Sequence, residues 1–156
     1  MKKVKIDPFQ LANITVSKTA LLVTQSKEGK ANIMALDWKT IGNLWGDPVC
    51  VIAVAPSRYS FSLLEEVKEF SLNVPSPKIQ SAVSIAGSYS GRSTDKISMA
   101  GLTMEPAKII DVPIIAEAMI NYECKIIHEA ESGSICSHRL FFGEILEAYA
   151  DESLLK

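Results

Sequence analysis

The sequence predicts a mainly β domain, best described as a barrel with two or three short helices inserted between strands. Segments rich in β-branched and aromatic residues return along the chain without the βαβ alternation of a parallel nucleotide-binding sheet. Residues 49–55 (VCVIAVA) form an unbroken apolar run, which predicts a strand that is covered on both faces. A length of 156 residues fits one domain spanning 1–156.

Two hairpins and one further strand account for most of the predicted sheet. β-prone residues at 19–26 and 31–38 flank the glycine-containing connection KEGK, which predicts the first hairpin. Residues 48–55 predict a third strand. Near the C-terminus, residues 119–130 and 135–150 flank a turn at ESGS and predict a long second hairpin.

Helical signals lie between the hairpins. Apolar residues at helical spacing predict a helix from Tyr59 to Phe70, and Ser62 with Glu65 predicts a capping box in it. The segment FSLNVP then returns to a strand. Residues 76–87 predict a second short helix that ends at Gly87, followed by a polar loop.

Composition excludes several classes of protein. A hydrophobic content of 47% with 22% charged residues is typical of a globular domain and excludes a disordered chain. The net charge of -2 gives no long-range field for a nucleic acid. The longest apolar run is far shorter than the roughly 20 residues that a membrane helix needs. We therefore expect neither nucleic-acid nor membrane binding.

The N-terminus and the cysteines favour a cytoplasmic location. The basic start MKKVKI is followed by Asp7 and Pro8 before any signal-peptide core develops. Cys50, Cys124 and Cys136 form no CxxC pair, and each lies in a strand-like apolar segment. We expect all three to be unreactive core thiols in a reducing compartment.

A polar cluster lies where the third strand ends and the first helix begins. Ser57, Arg58, Tyr59 and Ser60 combine hydroxyl groups and a guanidinium with the free N–H groups and positive dipole of a helix start. This combination suits a phosphate group. The competing interpretation is an ordinary helix cap beside a solvated arginine.

A second candidate is the polar stretch at 88–97, SYSGRSTDKI. Gly91 would let the backbone approach a ligand closely, and Arg92 and Lys96 would supply charge for the same anion. The competing interpretation is an exposed surface loop. The sequence contains no GxGxxG or Walker motif, so the usual dinucleotide and triphosphate sites are not indicated.

Two further features concern planar ligands and metals. The amide of Asn32 and the indole of Trp38 could bind a flat heteroaromatic ring, although an edge-strand tryptophan and a bulge asparagine explain them equally well. His138 lies in the predicted last strand, where a lone histidine is usually structural. His128 lies ten residues away, and no third ligand shows metal-binding spacing.

Four blocks, in order, carry a family resemblance. They are NIMALDWKTIGNLWGDPVCVIAVAPSRYS at 32–60, FSLNVPS at 70–76, GSYSGRSTDKI at 87–97 and SHRLFFGEI at 137–145. Together they resemble the flavin-reductase-like, FMN-binding split-barrel family, and most closely its flavoredoxin and ferric-reductase branch. The resemblance implies a six-stranded antiparallel Greek-key split barrel that binds FMN and forms a homodimer.

The resemblance also implies roles for individual residues. His138 would lie where nicotinamide or another electron partner approaches, and Lys96 could additionally stabilise reduced flavin. Asp37 and Tyr59 depart from the small hydroxyl residues common in relatives. The residues implied to bind the ring are Asn32, Met34, Ala35, Leu36, Asp37, Trp38, Asn73 and Val74. Those implied to bind the ribityl chain and phosphate are Ser57, Arg58, Tyr59, Ser60, Ser90, Gly91 and Lys96.

Two functions follow from the resemblance as expectations. The first is an NAD(P)H-dependent flavin or ferric reductase, or a flavoredoxin-like electron carrier, with a small-molecule or redox-protein partner. The second is a barrel that binds FMN without turnover, as a sensor or store. The second is kept because relatives usually add a further strand and an aromatic tail that covers the flavin, whereas this sequence stops at Lys156, soon after the last predicted strand.

Overall fold

The computed structural model describes all residues from Met1 to Lys156. It contains ten strands and four α-helices. The strands are β1 Lys3–Lys5, β2 Ala20–Gln25, β3 Ala31–Leu36, β4 Lys39–Leu44, β5 Asp47–Val54, β6 Glu69–Pro75, β7 Met104–Glu105, β8 Ile114–Ile115, β9 Ala118–Glu131 and β10 Arg139–Asp151. The helices are α1 Ala12–Ser17, α2 Tyr59–Glu66, α3 Gln80–Ser88 and α4 Lys96–Ala100, with 3-10 turns at Pro77–Ile79 and Glu152–Leu155.

One antiparallel sheet of eight strands dominates the molecule. Its strands follow the order β3-β2-β6-β9-β10-β5-β4, and β1 pairs with the far end of β10. The prediction of a mainly β fold with short helices is confirmed. The sheet has eight strands, whereas the family resemblance implies six; β1 and β4, within the segment KTIGNL, are not among the strands that the residue pattern predicts.

The two long strands β9 and β10 connect the two halves of the sheet. The first part of β10 pairs with β5, and its last residues pair with β1. Two register shifts interrupt the β9–β10 ladder, at Phe142/Gly143 and at Ile145/Glu147. Such irregularities bend a strand and increase its twist, which lets one hairpin serve both halves of a curved sheet.

The core lies on the concave side of this sheet. Phe70, Tyr122 and Phe141 are its largest fully buried side chains. A Cβ on Gly143 would lie 2.5 Å from Cζ of Phe70, so a glycine is required there. A second apolar cluster lies on the other face of β2 and β3, under α3 and the segment before β9, so these two strands are buried on both faces.

The structure corrects the prediction that residues 49–55 are covered on both faces. In β5, Cys50, Ile52 and Val54 are fully buried, whereas Val51 and Ala53 on the opposite face are only partly covered. The apolar run therefore has one core face and one face that is buried only at Val49 and half-exposed at Val51 and Ala53.

Helix boundaries also differ from the prediction. Helix α2, the first predicted helix, ends at Glu66 and not at Phe70. Its Ser62–Glu65 capping box does not form, because Ser62 donates to the carbonyl of Tyr59 at 2.8 Å. Helix α3, the second predicted helix, ends at Ser88, before the extended Tyr89, and not at Gly87.

The predicted polar loop contains α4. The Asp95 carboxylate accepts a hydrogen bond from the backbone N–H of Ser98 at 3.2 Å, and Gly101 ends the helix with φ 66°. This Asp and Gly pair is a local start and stop signal that the polarity of the segment obscured.

The cysteines follow the prediction in part. Cys50 and Cys124 are buried, and burial raises the pKa of the Cys50 thiol to about 12. Cys136 is exposed, because β10 begins only at Arg139 and residues 132–138 form the connecting loop. None of the four helices has the length and hydrophobicity to cross a bilayer.

Candidate functional site

Two adjoining cavities open at the end of the barrel where β3, β5, the start of α2 and the start of β10 converge. The larger has a volume of about 450 Å³ and the smaller about 200 Å³. Both are lined by Met34, Ala55, Arg58 and His138, which places them side by side. We call them the polar cavity and the apolar cavity.

The polar cavity contains three cationic side chains and no carboxylate. Its charged lining residues are Arg58, Arg92 and Lys96. The remaining lining residues are Asn32, Met34, Ala55, Ser57, Tyr59, Ser60, Gly87, Ser88, Tyr89, Ser90, Gly91 and His138. A concave surface with uncompensated positive charge, hydroxyl groups and a helix start favours an anionic ligand.

Lys96 is the most constrained of these cations. It is only 5% exposed, and its ammonium donates one hydrogen bond, to the carbonyl of Ala86 at 3.2 Å. Burial, and then the nearby Arg58, lower the pKa of Lys96 to about 8. An ammonium has three donors, so Lys96 retains donors for an anion, which would also relieve the charge repulsion.

The start of α2 and strand β3 are joined by a buried side-chain hydrogen bond. The Asn32 amide donates to the Ser60 hydroxyl at 3.1 Å, and the two residues are 7% and 1% exposed. The first turn of a helix has N–H groups without intrahelical acceptors. The bond fixes this turn against β3 at the wall of the polar cavity.

Within the segment 89–95, residues 89–92 form the adjoining wall. A Cβ on Gly91 would lie 2.7 Å from both Cγ of Asn32 and Cδ2 of Tyr59, so only glycine fits. Arg92 donates to the carbonyl of Ser57 at 3.1 Å, and its guanidinium lies 5.6 Å from the centre of the Tyr59 ring. These contacts fasten the segment to the strand–helix junction.

An aromatic pair borders the apolar cavity. The rings of Trp38 and His138 have centroids 4.6 Å apart and are inclined by 51°. Trp38 is 58% exposed, and Nδ1 of His138 is buried without a hydrogen-bond partner. The lining is Met34, Ala35, Leu36, Asp37, Trp38, Ala53, Val54, Ala55, Arg58 and His138. A flat, mainly apolar ligand would fit this slot.

Comparison with known proteins identifies the family. Residues 14–156 match the flavin reductase like domain. The chain belongs to this family. It is also 37% identical over 134 residues to an uncharacterized protein of Pyrococcus abyssi, an alignment that covers 85% of this chain and 74% of that protein. An uncharacterized Archaeoglobus fulgidus protein is 36% identical, with 75% of this chain and 64% of that protein covered.

Solved structures agree with this assignment. The flavoredoxin of Desulfovibrio vulgaris (Miyazaki F) matches with a TM-score of 0.78 and 29% identity, over 87% of this chain and 70% of that one. The flavoredoxin of Methanosarcina acetivorans matches with a TM-score of 0.76 and 30% identity, over 86% and 69%. A putative flavin reductase with a split barrel domain from Shewanella frigidimarina has the same fold, with a TM-score of 0.79 and 17% identity, over 97% and 78%. The predicted split barrel is confirmed.

The flavin reductase like domain brings most of the predicted binding residues together. The polar cavity collects Asn32, Met34, Ser57, Arg58, Tyr59, Ser60, Ser90, Gly91, Lys96 and His138. The apolar cavity adds Ala35, Leu36, Asp37 and Trp38. The Asp37 carboxylate accepts a hydrogen bond from the Thr19 hydroxyl at the surface, which orients it towards the start of β2.

Asn73 and Val74 lie outside both cavities, which corrects the expectation that they border a ring. Both are fully buried in β6. The Asn73 amide donates to the carbonyl of Leu21 at 3.2 Å, and its oxygen accepts from Asn121 at 2.8 Å. Asn73 therefore joins neighbouring parts of the sheet, a role that the NVP wording in the sequence does not reveal.

His138 lies one residue before β10, not within it. This position in the connecting loop is what lets it turn towards Trp38. The polar cavity is also lined by Tyr89, Ala55 and Gly87, which lie within the predicted stretches but were not named as binding residues; the aromatic ring of Tyr89 in a Ser- and Gly-rich stretch was the available signal. No group of three potential metal ligands occurs in the structure.

Proposed function

We propose that the paired cavities bind FMN, with the phosphate and ribityl chain in the polar cavity and the ring in the apolar cavity. The observation that carries this proposal is an acid-free cluster of Arg58, Arg92 and Lys96 that continues directly into an apolar slot. An amphiphilic ligand with one anionic end matches this division. The volumes also suit a small-molecule site, for which roughly 300–1,000 Å³ is usual.

The residues present fit this cofactor. Gly91 lets its segment pack directly on Asn32 and Tyr59, which closes one wall of the polar cavity. Lys96 has free donors and a charge that an anion would compensate. The side chain of His138 lines both cavities where they meet, next to the exposed indole of Trp38.

We propose an oxidoreductase role for the protein with FMN bound. Bound FMN supplies hydride acceptance and the transfer of one or two electrons. Lys96 and Arg58 hold the anionic end, and Lys96 adds positive charge that favours the reduced cofactor. Trp38 shields one side of the slot, and His138 orients the incoming NAD(P)H or another donor. None of these residues has to act as an obligatory base.

The reaction class is an NAD(P)H-dependent flavin or ferric reductase, or a flavoredoxin-like electron carrier that passes electrons to a small molecule or a redox protein. Similarity to two flavoredoxins supports the carrier, and membership of the flavin reductase like family supports the enzyme. Anaerobic titration decides between them. The visible spectrum is recorded with added FMN, and then NADH or NADPH is added.

Each result of the titration has a defined meaning. Bleaching by a nicotinamide supports the reductase. FMN binding without bleaching supports a carrier that is reduced by another donor. Bound FMN that no donor reduces, including redox proteins that were first reduced with dithionite, would support a flavin sensor or store. A spectrum without any bound flavin would exclude all three.

We also propose that the protein is a cytoplasmic homodimer in which the second copy covers the outer face of β5 and β10. On that face Val51 lies opposite Phe142 and Ala53 opposite Leu140, and all four are only partly buried. The ring centroids of Trp45 and Phe142 are 5.8 Å apart, and Trp45 is 65% exposed. Contiguous exposed apolar surface is typical of an interface. Sedimentation analysis of the wild type and Trp45→Ser tests this.

A further inference from the structure

Asp37 and Trp38 connect β3 to β4, and we call these two residues the β3–β4 link. β3 ends at Leu36 and β4 begins at Lys39. The two strands lie at opposite ends of the strand order and do not pair with each other. Both residues of the link line the apolar cavity. The cavity therefore opens where no ladder of backbone hydrogen bonds closes the sheet.

The side chain of Trp38 has few contacts that would fix its position. Trp38 is 58% exposed, and the ring of His138, with its centroid 4.6 Å away, is the only aromatic ring beside it. The backbone carbonyl of Trp38 accepts a hydrogen bond from the N–H of Ala53 at 3.0 Å, which attaches the link to β5. The position of the indole therefore depends on how the link is attached on its other side, towards β2 and β3.

The ammonium of Lys39 makes that second attachment. Its Nζ donates to the carbonyl of Lys18, just before β2, at 2.6 Å and to the carbonyl of Asp37 at 3.2 Å. A third, longer bond of 3.5 Å is donated to the carbonyl of Leu36. An ammonium has three donors, so each of them has a backbone acceptor here. One side chain thus joins β4, the link and the chain that leads into β2.

The direction of the Lys39 side chain agrees with this role. In the β4–β5 ladder Lys39 lies opposite Ile52, whose fully buried side chain faces the core, so the Lys39 side chain starts on the same face. Burial lowers the pKa of Lys39, and the nearby Asp37 acts against this shift. A lysine directed towards the core is costly unless its donors have acceptors. The three carbonyls meet this condition.

We propose that Lys39 is a positioning residue, whose ammonium takes the place of the missing pairing between β3 and β4 and holds Trp38 at the wall of the apolar cavity. Lys39 itself lines neither cavity, so it acts through the link and not on the ligand. The consequence for flavin binding rests on the proposed function. The attachment of the link does not, and it can be measured without a ligand.

The first experiment measures the mobility of Trp38 in the ligand-free full chain. The sequence has two tryptophans, so in a Trp45→Phe background all indole emission comes from Trp38. Time-resolved fluorescence anisotropy compares Lys39→Met, which keeps the length of the side chain without its donors, with Lys39→Arg, which keeps charged donors. Lys18→Met is the matched control, because it removes an exposed lysine side chain but leaves the Lys18 carbonyl in place.

Lys39→Met should enlarge the fast, local part of the anisotropy decay, because the link loses its attachment to the chain before β2. Lys39→Arg and Lys18→Met should keep the decay of the parent protein. Thr19→Val removes the hydroxyl that donates to the Asp37 carboxylate, the other bond to the link, and should have a smaller effect. Lys39→Gln, whose side chain is too short to join all three carbonyls, replaces Lys39→Met if that variant does not fold, with the same expected result.

The second experiment is a double-mutant cycle for FMN binding, measured by calorimetric titration. Lys39→Met should weaken FMN binding to the otherwise wild-type protein about three- to tenfold, up to the whole contribution expected from the Trp38 ring. In a Trp38→Ala background the same substitution should change the affinity by less than about twofold, because a residue that acts only through Trp38 has no effect once the ring is absent.

Three results would contradict the proposal or the function on which it rests. An anisotropy decay that Lys39→Met leaves unchanged would overturn the proposal, as would an effect of Thr19→Val that equals or exceeds it. An equal loss of FMN affinity in both backgrounds would also overturn it, because Lys39 would then act on the ligand by its charge or on the fold as a whole. If the wild type binds no FMN, the proposed function fails, and the anisotropy result alone decides the role of Lys39.

Discussion

Replacing Lys96 with methionine should make the ligand-free protein more stable and at the same time weaken FMN binding. Methionine keeps the length of the side chain and removes its charge. In the folded protein Lys96 is 5% exposed, and its ammonium has one hydrogen bond to Ala86 and is repelled by Arg58. The positive charge of Lys96 therefore lowers the stability of the folded protein.

The size of the stability effect follows from the lowered pKa. The pKa of Lys96 falls from 10.5 to about 8 on folding, so the unfolded chain holds this proton more tightly. The charged form then destabilises the folded state below pH 8, and this effect disappears as the pH rises from about 8 to 10.5. At about 1.4 kcal/mol per pKa unit, reduced for screening through the open cavity and for the lost bond to Ala86, we expect Lys96→Met to add about 1–2 kcal/mol at pH 7.

The effect on binding has the opposite sign. A hydrogen bond to a charged group contributes about 1.5–3 kcal/mol, so the loss of the Lys96 ammonium should weaken FMN binding about 10- to 100-fold. Thermal unfolding without ligand and calorimetric FMN titration measure the two quantities separately. Lys78→Met, at an exposed lysine outside both cavities, is the control and should change neither.

A Lys96→Met protein that is less stable than the wild type and binds FMN equally well would refute the reasoning. Lys96 would then be a structural residue that stabilises the end of α3 through Ala86. A gain in stability without a loss of affinity would show that the anion lies elsewhere. Only a gain in stability together with a loss of FMN affinity agrees with an ammonium that binds the ligand.

Four further predictions concern the same cavities. Gly91→Ala should lower FMN affinity at least tenfold, because its Cβ would collide with Asn32 and Tyr59, whereas Gly42→Ala, which meets nothing within 4 Å, should not; calorimetry measures both. Trp38→Ala should leave the melting temperature nearly unchanged, since the indole is 58% exposed, and should weaken FMN about tenfold in the same titration. His138→Ala should keep FMN bound and slow its reduction by NAD(P)H in stopped-flow traces; an unchanged rate would remove His138 from the reaction. FMN affinity of the wild type should decrease above about pH 8 as Lys96 loses its proton, and a flat profile from pH 7 to 9.5 would contradict that role.

The sequence predicted the residues that line the cavities better than it predicted the bounds of the strands and helices that hold those residues. Asn32 and Ser60 lie far apart in the chain, and only the order of the motifs indicated that they belong together. The structure joins them by one hydrogen bond. The predicted strand–helix junction at Ser57 to Ser60 was also correct, because a proline after an apolar strand followed by helical spacing is a strong local signal.

Other features depend on tertiary contacts that no local pattern contains. Asn73 resembles a ligand-binding amide in the sequence, yet its partners Leu21 and Asn121 come from strands on either side of β6. Residues 132–138 contain β-prone side chains but form a loop, so Cys136 became exposed. In both cases the outcome depends on which strands pair and in which register, information that one sequence does not provide.

The position of β10 between two ladders determines how a ligand can enter. At the start of β10, Arg139 is paired with Val54 on one side and with Glu131 on the other, so the His138 side of the cavities cannot open without breaking sheet hydrogen bonds. The segment 89–95 is instead attached by the Arg92–Ser57 hydrogen bond, the Arg92–Tyr59 contact and the packing of Gly91 on Asn32 and Tyr59, without strand pairing. With the proposed function, a ligand would therefore enter past the segment 89–95, whose displacement breaks no strand pairing, and not past the wall formed by the start of β10.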